Sequence, residues 1–260
     1  MNIVVLIKQV PDTWSERKLA QTDHTLDRDS ADAVLDEINE RAVEEALKIK
    51  EAGEGEVTIV TMGPQRATEA VRKALSMGAD KAVHLTDEAL HGSCAVQTAK
   101  ALAKVIGTLG EVDLILAGNE ATDGTVAAVP AMVADVLGLP ELTHARKLTV
   151  EGRMVTVERE TDDAIAVLQA ELPAVVSVNE KINEPRYPSF KGIMAAKKKP
   201  VTTLSLGDAG IDPSEVGLDG ALSKVTDSKP RPPREAGQVV TDEGDGGAKL
   251  AEYLVGQKLI

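Results

Sequence analysis

Apolar and polar positions along this chain follow two periods in turn. Short apolar runs at Ile3 to Ile7, Glu56 to Met62, Lys81 to Leu85 and Val112 to Gly118 are bounded by turn residues and predict buried strands. Between them apolar residues repeat at helical spacing. Ile38, Ala42, Val43, Ala46, Leu47 and Ile49 form one stripe over 36–52, with Glu40, Glu44, Glu45 and Lys48 on the water face and Gly53-Glu54-Gly55 as the stop. Further helices are predicted over 67–76 and 95–109. Strands alternating with helices at this spacing imply right-handed βαβ units, a mainly parallel sheet and a Rossmann-like α/β fold.

The pattern changes after Pro140. Leu142 to Val150, a Glu151-Gly152 turn and Met154 to Arg159 predict an antiparallel hairpin, and Ala164 to Ala170 and Glu171 to Val178 predict two more strands. This hairpin region is expected to extend the sheet and face a neighbour. Pro185 and Pro188 exclude a helix from 183–190, which carries Phe190, the single phenylalanine, just before Ile193-Met194 and Lys197 to Lys199. Phe190 either folds back into the core or stands at a contact surface. Earlier in the chain, Pro11 and the polar tract to Ser30 predict a small hairpin excursion. After Pro200, residues 201–206 are strand-like, and 207–235 are rich in Gly, Pro, Asp and Ser and able to bury little. A short amphipathic helix from Ala248 needs a docking surface or frays. The expected division is an α/β domain over 1–205, with a loop at 178–199, and an irregular C-terminal arm over 206–260.

Composition narrows the function. The chain has 260 residues and a formal charge of −13, which excludes nucleic acid and anionic membrane as partners. No apolar run reaches the ~20 residues of a membrane helix, so membrane insertion is not expected. Residues 1–8 lack a basic flank and cleavage site, and the single cysteine, Cys94, suits a reducing compartment, so a cytoplasmic location is expected. Aromatic residues make up 2%, so the core must be aliphatic. The four histidines show no metal-ligand spacing.

In a parallel sheet, ligands sit at the carboxyl ends of strands, near the point where strand order reverses. Here those ends are 7–10, 61–64 and 118–125. The last is a glycine-bounded polar loop running into a helix expected through Val126, Val129, Met132 and Leu137. Such a turn suits a phosphate. It is equally an ordinary βα turn with Thr122 or Asp123 as the helix cap, because neither a Walker A loop nor G-x-G-x-x-G is present. No nucleophile–base pair stands at a recognisable motif, and Glu158/Glu160 and Asp162/Asp163 suit solvated faces. An enzyme is not expected.

The run LPAVVSVNEKINEPRYPSFKGIMAAKKK, Leu172 to Lys199, with VERE at 157–160 ahead of it, resembles the beta (small) subunit of electron-transfer flavoproteins. The similarity extends over roughly residues 1–205. It implies a subunit that forms a heterodimer with a large (alpha) subunit, takes electrons from acyl-CoA-type dehydrogenases and passes them to a membrane quinone oxidoreductase. FAD would be shared with or held by the large subunit, and this chain would bury a structural AMP. The resemblance places AMP contacts at Leu6, at Asp36, Glu37, Ile38 and Asn39, at Met62, and at Gly118, Asn119, Glu120, Ala121, Thr122, Asp123, Gly124, Thr125, Val126, Ala127, Ala128 and Val129. It makes 178–199 a docking loop with Phe190 as its apolar anchor, where leucine is usual. Tyr187, Ile193, Met194 and Lys198 would lie at the same partner surface, within a lysine cluster including Lys199. Glu160 would pair with an arginine of the large subunit. Other departures are Asp36-Glu37 in place of Asn-Pro, Asn119-Glu120 in place of a glutamine-containing pair, Asp163-Ala164 in place of Gly-Gly, and Ala195 in place of lysine. Electron-bifurcating members hold a second FAD behind a DGDTAQVGP-like loop; DGTVAAVPA here suits AMP better. A stand-alone adenine-nucleotide-binding regulatory domain would account for residues 1–140, but not for NEPRYPSF or the arm.

Overall fold

A computed structural model describes residues 1–234, 237 and 239–260. Three positions of the expected arm, Glu235, Ala236 and Gln238, lie outside the described residues. Residues Met1–Thr226 form one compact unit and Asp227–Ile260 a second.

The first unit is built on a sheet whose strands are β1 (Asn2–Leu6), β4 (Glu56–Met62), β5 (Lys81–Leu85), β6 (Leu114–Gly118), β7 (Glu141–Glu151), β8 (Met154–Glu160), β9 (Ile165–Glu171), β10 (Ala174–Val178) and β11 (Val201–Leu204). Their order is β11-β5-β4-β1-β6-β10-β7-β8-β9. The first seven in that order run parallel, β8 turns back antiparallel to β7, and β9 reverses again to pair antiparallel with β8. The hairpin region therefore extends the sheet, as the alternating pattern after Pro140 predicts. Two placements were not predicted. The buried run 174–178 slots between β6 and β7, and β11 closes the far edge beside β5.

Helices cover both faces. On one side lie α1 (Glu37–Ala52) and α2 (Thr68–Met77), on the other α3 (Ala95–Gly107) and α4 (Val129–Leu137). Strand alternation divides the core accordingly. Ile3 and Val5 of β1, with Leu114 and Leu116 of β6, pack towards α1 and α2; Val4, Leu6, Ile115 and Ala117 pack towards α3 and α4. The core is aliphatic throughout. A further helix, α5 (Phe190–Ala196), lies against α2. Sequence reasoning excludes a helix over 183–190, and the structure departs from that at the last residue, since Phe190 opens α5. Directly after Pro188, Ser189 caps α5 by accepting a hydrogen bond from the Gly192 amide at 3.0 Å.

The excursion after β1 holds a two-stranded ribbon of β2 (Gln9–Pro11) and β3 (Ala33–Leu35), and a bridge between Leu19 and Leu26 near its tip. The stretch after β11 differs from its compositional reading. Leu206, Ala209, Ile211 and Val216 are buried with the α3 side of the core, and Lys104 ties them down through Gly210 O and Glu215. In the second unit α6 (Gly246–Gly256) buries no residue. Among the described residues no helix is long and apolar enough to cross a membrane.

Candidate functional site

Strand order reverses between β1 and β6, so their carboxyl ends splay apart over the start of α1. At this crevice Asp36, fully buried, caps α1. Its Oδ1 accepts from the Ile38 and Asn39 amides at 2.9 and 3.3 Å, and its Oδ2 accepts from the amide and hydroxyl of Thr122 at 2.7 and 2.8 Å. One carboxylate thus welds the helix to the loop after β6. Asn39 Oδ1 accepts the Lys8 amide at 2.7 Å, fastening the end of β1 to the same helix turn. Gly118 makes this approach feasible. A Cβ there would sit 2.5 Å from Asn39 Nδ2 and 3.0 Å from Ile38 Cγ2.

Asp123 is the second anchor. Its side chain is 1% exposed and accepts from Lys8 Nζ at 2.8 Å and from Arg28 at 3.1 Å. Burial alone would raise its carboxyl, but the Lys8 ammonium and the Arg28 guanidinium outweigh that and hold it below the ordinary carboxylate range. Arg28 also reaches Gln9 O, and Arg66 donates to Arg28 O and pairs with Asp29 at 2.9 Å. The excursion is pinned by these arginines to the ends of β4 and β6. Lys8 and Arg28 thus bring two cations to one side of the crevice, matched by the buried carboxylates Asp123 and Asp36.

Beyond Asp123 the loop rises into solvent at Gly124, Thr125 and Val126. Thr125 and Ala127 hold left-handed backbone, φ 48° and 54°, and Ala128 follows in the right-handed region. The amides of Val126, Ala127 and Ala128 find no acceptor among the described residues. Alternating left- and right-handed residues with free amides form an anion-binding concavity, here at the start of α4, whose N-cap Ala128 offers no side-chain cap. The predicted helix start therefore moves. Val126 lies outside α4, and neither Thr122 nor Asp123 caps it, because Asp36 and the two cations occupy those side chains. The donor set suits a phosphate.

The sequence-based candidates fall around this crevice in different ways. Leu6 is buried at the end of β1, Ile38 lies under Gly118, Glu37 points outward, and Met62 ends β4 one strand away. Asn119 turns to the opposite side, where its Nδ2 meets His144 Nδ1 at 3.2 Å. Glu120 is half-buried, and the Ala121 carbonyl accepts the Gly124 and Thr125 amides. Lys8 and Arg28, which supply the positive charge, were missed. Lys8 directly follows the first apolar run and was within reach of sequence reasoning; Arg28 is brought in only by the excursion's path.

The expected docking residues form a second surface. Tyr187 is 94% and Phe190 81% exposed, and Ile193 and Met194 about half. Phe190, Ile193 and Met194 share one face of α5 at helical spacing, and Lys198 is exposed just beyond. Phe190 does not fold into the core. Lys199 is different: its ammonium donates to the carbonyls of Leu75 and Ala79 at 3.0 and 2.6 Å, closing the end of α2, and burial lowers its pKa. It anchors the helix and is not part of a free lysine cluster. Glu160 stands apart on β8, bonded to Lys181 at 2.9 Å and Arg146 at 3.3 Å; Lys181 first and Arg146 next lower its pKa. Its partners lie within this chain. Among the described residues no group of metal-ligating side chains gathers.

A model of the electron transfer flavoprotein domain matches residues 23–209. The chain is similar over its whole length to the electron transfer flavoprotein subunit beta of Mycobacterium tuberculosis (strain ATCC 25618 / H37Rv), at 63% identity, covering 100% of this chain and 99% of that one. The subunit beta of Mycobacterium leprae (strain TN) matches at the same identity and coverage. A more distant relative, the caffeyl-CoA reductase-Etf complex subunit CarD of Acetobacterium woodii, is 36% identical over 93% of this chain and 92% of its own. Match and fold agree: the chain belongs to the electron transfer flavoprotein family, as a beta subunit.

Proposed function

We propose that this chain forms a heterodimer with a large, flavin-holding subunit and serves as the structural and docking half of the electron carrier. Electrons from acyl-CoA-type dehydrogenases would pass through it towards a membrane quinone oxidoreductase. In this reading AMP fills the crevice between β1 and β6, with its phosphate at the free amides of 126–128 beside Lys8 and Arg28. The observation that carries it is that cradle: successive amides without an acceptor among the described residues and the Lys8 and Arg28 side chains held by Asp123 meet at the strand-order reversal. The bound FAD supplies the redox chemistry. This chain's residues supply the frame: Asp36 and Asp123 fix the nucleotide crevice, and α5 presents Phe190 and its neighbours to the dehydrogenase as an apolar anchor.

The test is to co-express the chain with its large subunit, denature the purified complex and quantify released nucleotides. One AMP and one FAD per heterodimer is the expected result. Two FAD and no AMP would assign a second flavin to the crevice. Failure to isolate a heterodimer, with ATP or no nucleotide released, would favour a stand-alone nucleotide-binding domain. Phe190→Ala should slow reduction by the dehydrogenase while leaving heterodimer and flavin content unchanged; an unchanged rate would remove the anchor.

A further inference from the structure

Glu44, Glu45 and Glu51 stand within two turns of α1, and the first two, expected from the sequence on its water face, are only 5% and 8% exposed. Carboxylates sink this far only with partners, and here the loop over 183–186 provides them. Asn183 Nδ2 donates to Arg41 O and to Glu45, both at 3.0 Å. Arg186 donates its amide and two guanidinium nitrogens to Glu44 at 3.1, 2.7 and 3.1 Å, and two guanidinium bonds to Glu51 at 2.5 and 3.0 Å. Glu51 and Glu44 in turn hold the guanidinium more firmly protonated than usual. Arg186 stands one residue before Tyr187 and four before Phe190. It fixes where the exposed surface begins, as Arg72, bonded to the carbonyls of Ala196 and Lys199, fixes where it ends.

We propose that Arg186 is the positioning residue of the docking surface, holding Tyr187 to Met194 in a pre-formed arrangement through its double grip on α1. The inference rests on the docking reading above and adds to it the group that makes the surface ready before contact. Ordering a loop at the moment of binding weakens association, so a surface already fastened binds more tightly through the same contacts. The planar fork of arginine spans two carboxylates at once; lysine, a single point charge, cannot. Without Arg186, three neighbouring carboxylates would repel one another and release the loop.

The experiment uses the heterodimer purified with its large subunit, as electron acceptor from an acyl-CoA dehydrogenase reduced by its acyl-CoA. Arg186→Ala is expected to raise KM for the flavoprotein about tenfold with kcat and flavin content kept, and Arg186→Lys to recover only part of the loss. In a Phe190→Ala background Arg186→Ala should add little, because Phe190, the anchor of the surface it positions, has gone. Multiplying effects in the double variant would overturn the proposal, as would an unchanged KM for Arg186→Ala alone. If Phe190→Ala by itself leaves KM unaltered, the docking reading fails first and takes the inference with it. Should Arg186→Ala not yield folded heterodimer, Glu51→Gln takes its place in the cycle. It weakens the Glu51 half of the grip and leaves buried Glu44 paired. A raised KM that Phe190→Ala masks again supports the proposal, and an unchanged KM again overturns it.

Discussion

Asp123 and Asp36 are both buried acids in the crevice, and both hold loops, but their partners differ in kind. Asp36 serves four neutral donors; removing it uncaps α1 and strands the Thr122 amide and hydroxyl. Asp36→Ala should lower unfolding free energy by about 3 kcal/mol or more, read from urea denaturation. Asp123 is matched to charges, so its contribution depends on pH. Its folded pKa lies below the unfolded value of about 3.9. The stabilisation is therefore fully present above about pH 4 and lost as pH falls through the folded pKa. Asp123→Asn should be less stable than wild type near pH 6, with the gap closing as pH drops below about 4. A gap that stays constant would mean that the ion pairs contribute nothing and Asp123 acts by shape alone.

Among the elements, α5 shows how closely the proposed docking surface is fitted to the fold. A Cβ on Gly192 would stand 2.5 Å from the Ser76 carbonyl, which is backbone and cannot turn aside. Gly192→Ala should push α5 off α2, costing about 1–3 kcal/mol in unfolding free energy and weakening dehydrogenase docking together; loss of stability without loss of docking would show that the surface re-forms. This element also marks the limit of sequence reading. The βαβ units were legible because their periodicity is local: the stripe from Ile38 to Ile49 and the run from Ile3 to Ile7 each report their own burial. Phe190, Ile193 and Met194 read as apolar, yet their exposure follows from Arg186 reaching α1 some 135 residues earlier, which no local pattern records. The same holds for β10, whose apolar run predicts a strand but not its place between β6 and β7. In the crevice the loop 118–129 was legible by its glycines and polar residues. Its free amides were not, because the left-handed turns fall on Thr125 and Ala127, residue types that seldom adopt them.

Taken as a whole, the chain separates into a unit that supports itself and one that does not. Every residue of both hydrophobic clusters lies within Met1–Thr226, including Leu206 to Val216, which composition alone assigned to the arm. Among the described residues of Asp227–Ile260 there is one helix, with no buried residue, and Leu250, Tyr253 and Val255 on it are more than half exposed. A helix of this length is marginal alone in water, and its apolar side chains gain nothing until another surface covers them. In the heterodimer reading that surface belongs to the large subunit. A chain ending at Thr226 should then keep cooperative unfolding and a melting temperature within about 4 °C of the full chain, since it gives up less than about 1 kcal/mol of its own packing. It should fail to co-purify with the large subunit, or do so with strongly reduced yield. If the shortened chain pairs normally, the second unit is a passive extension. If it no longer unfolds cooperatively, the core extends past Thr226 and the second unit is part of the fold.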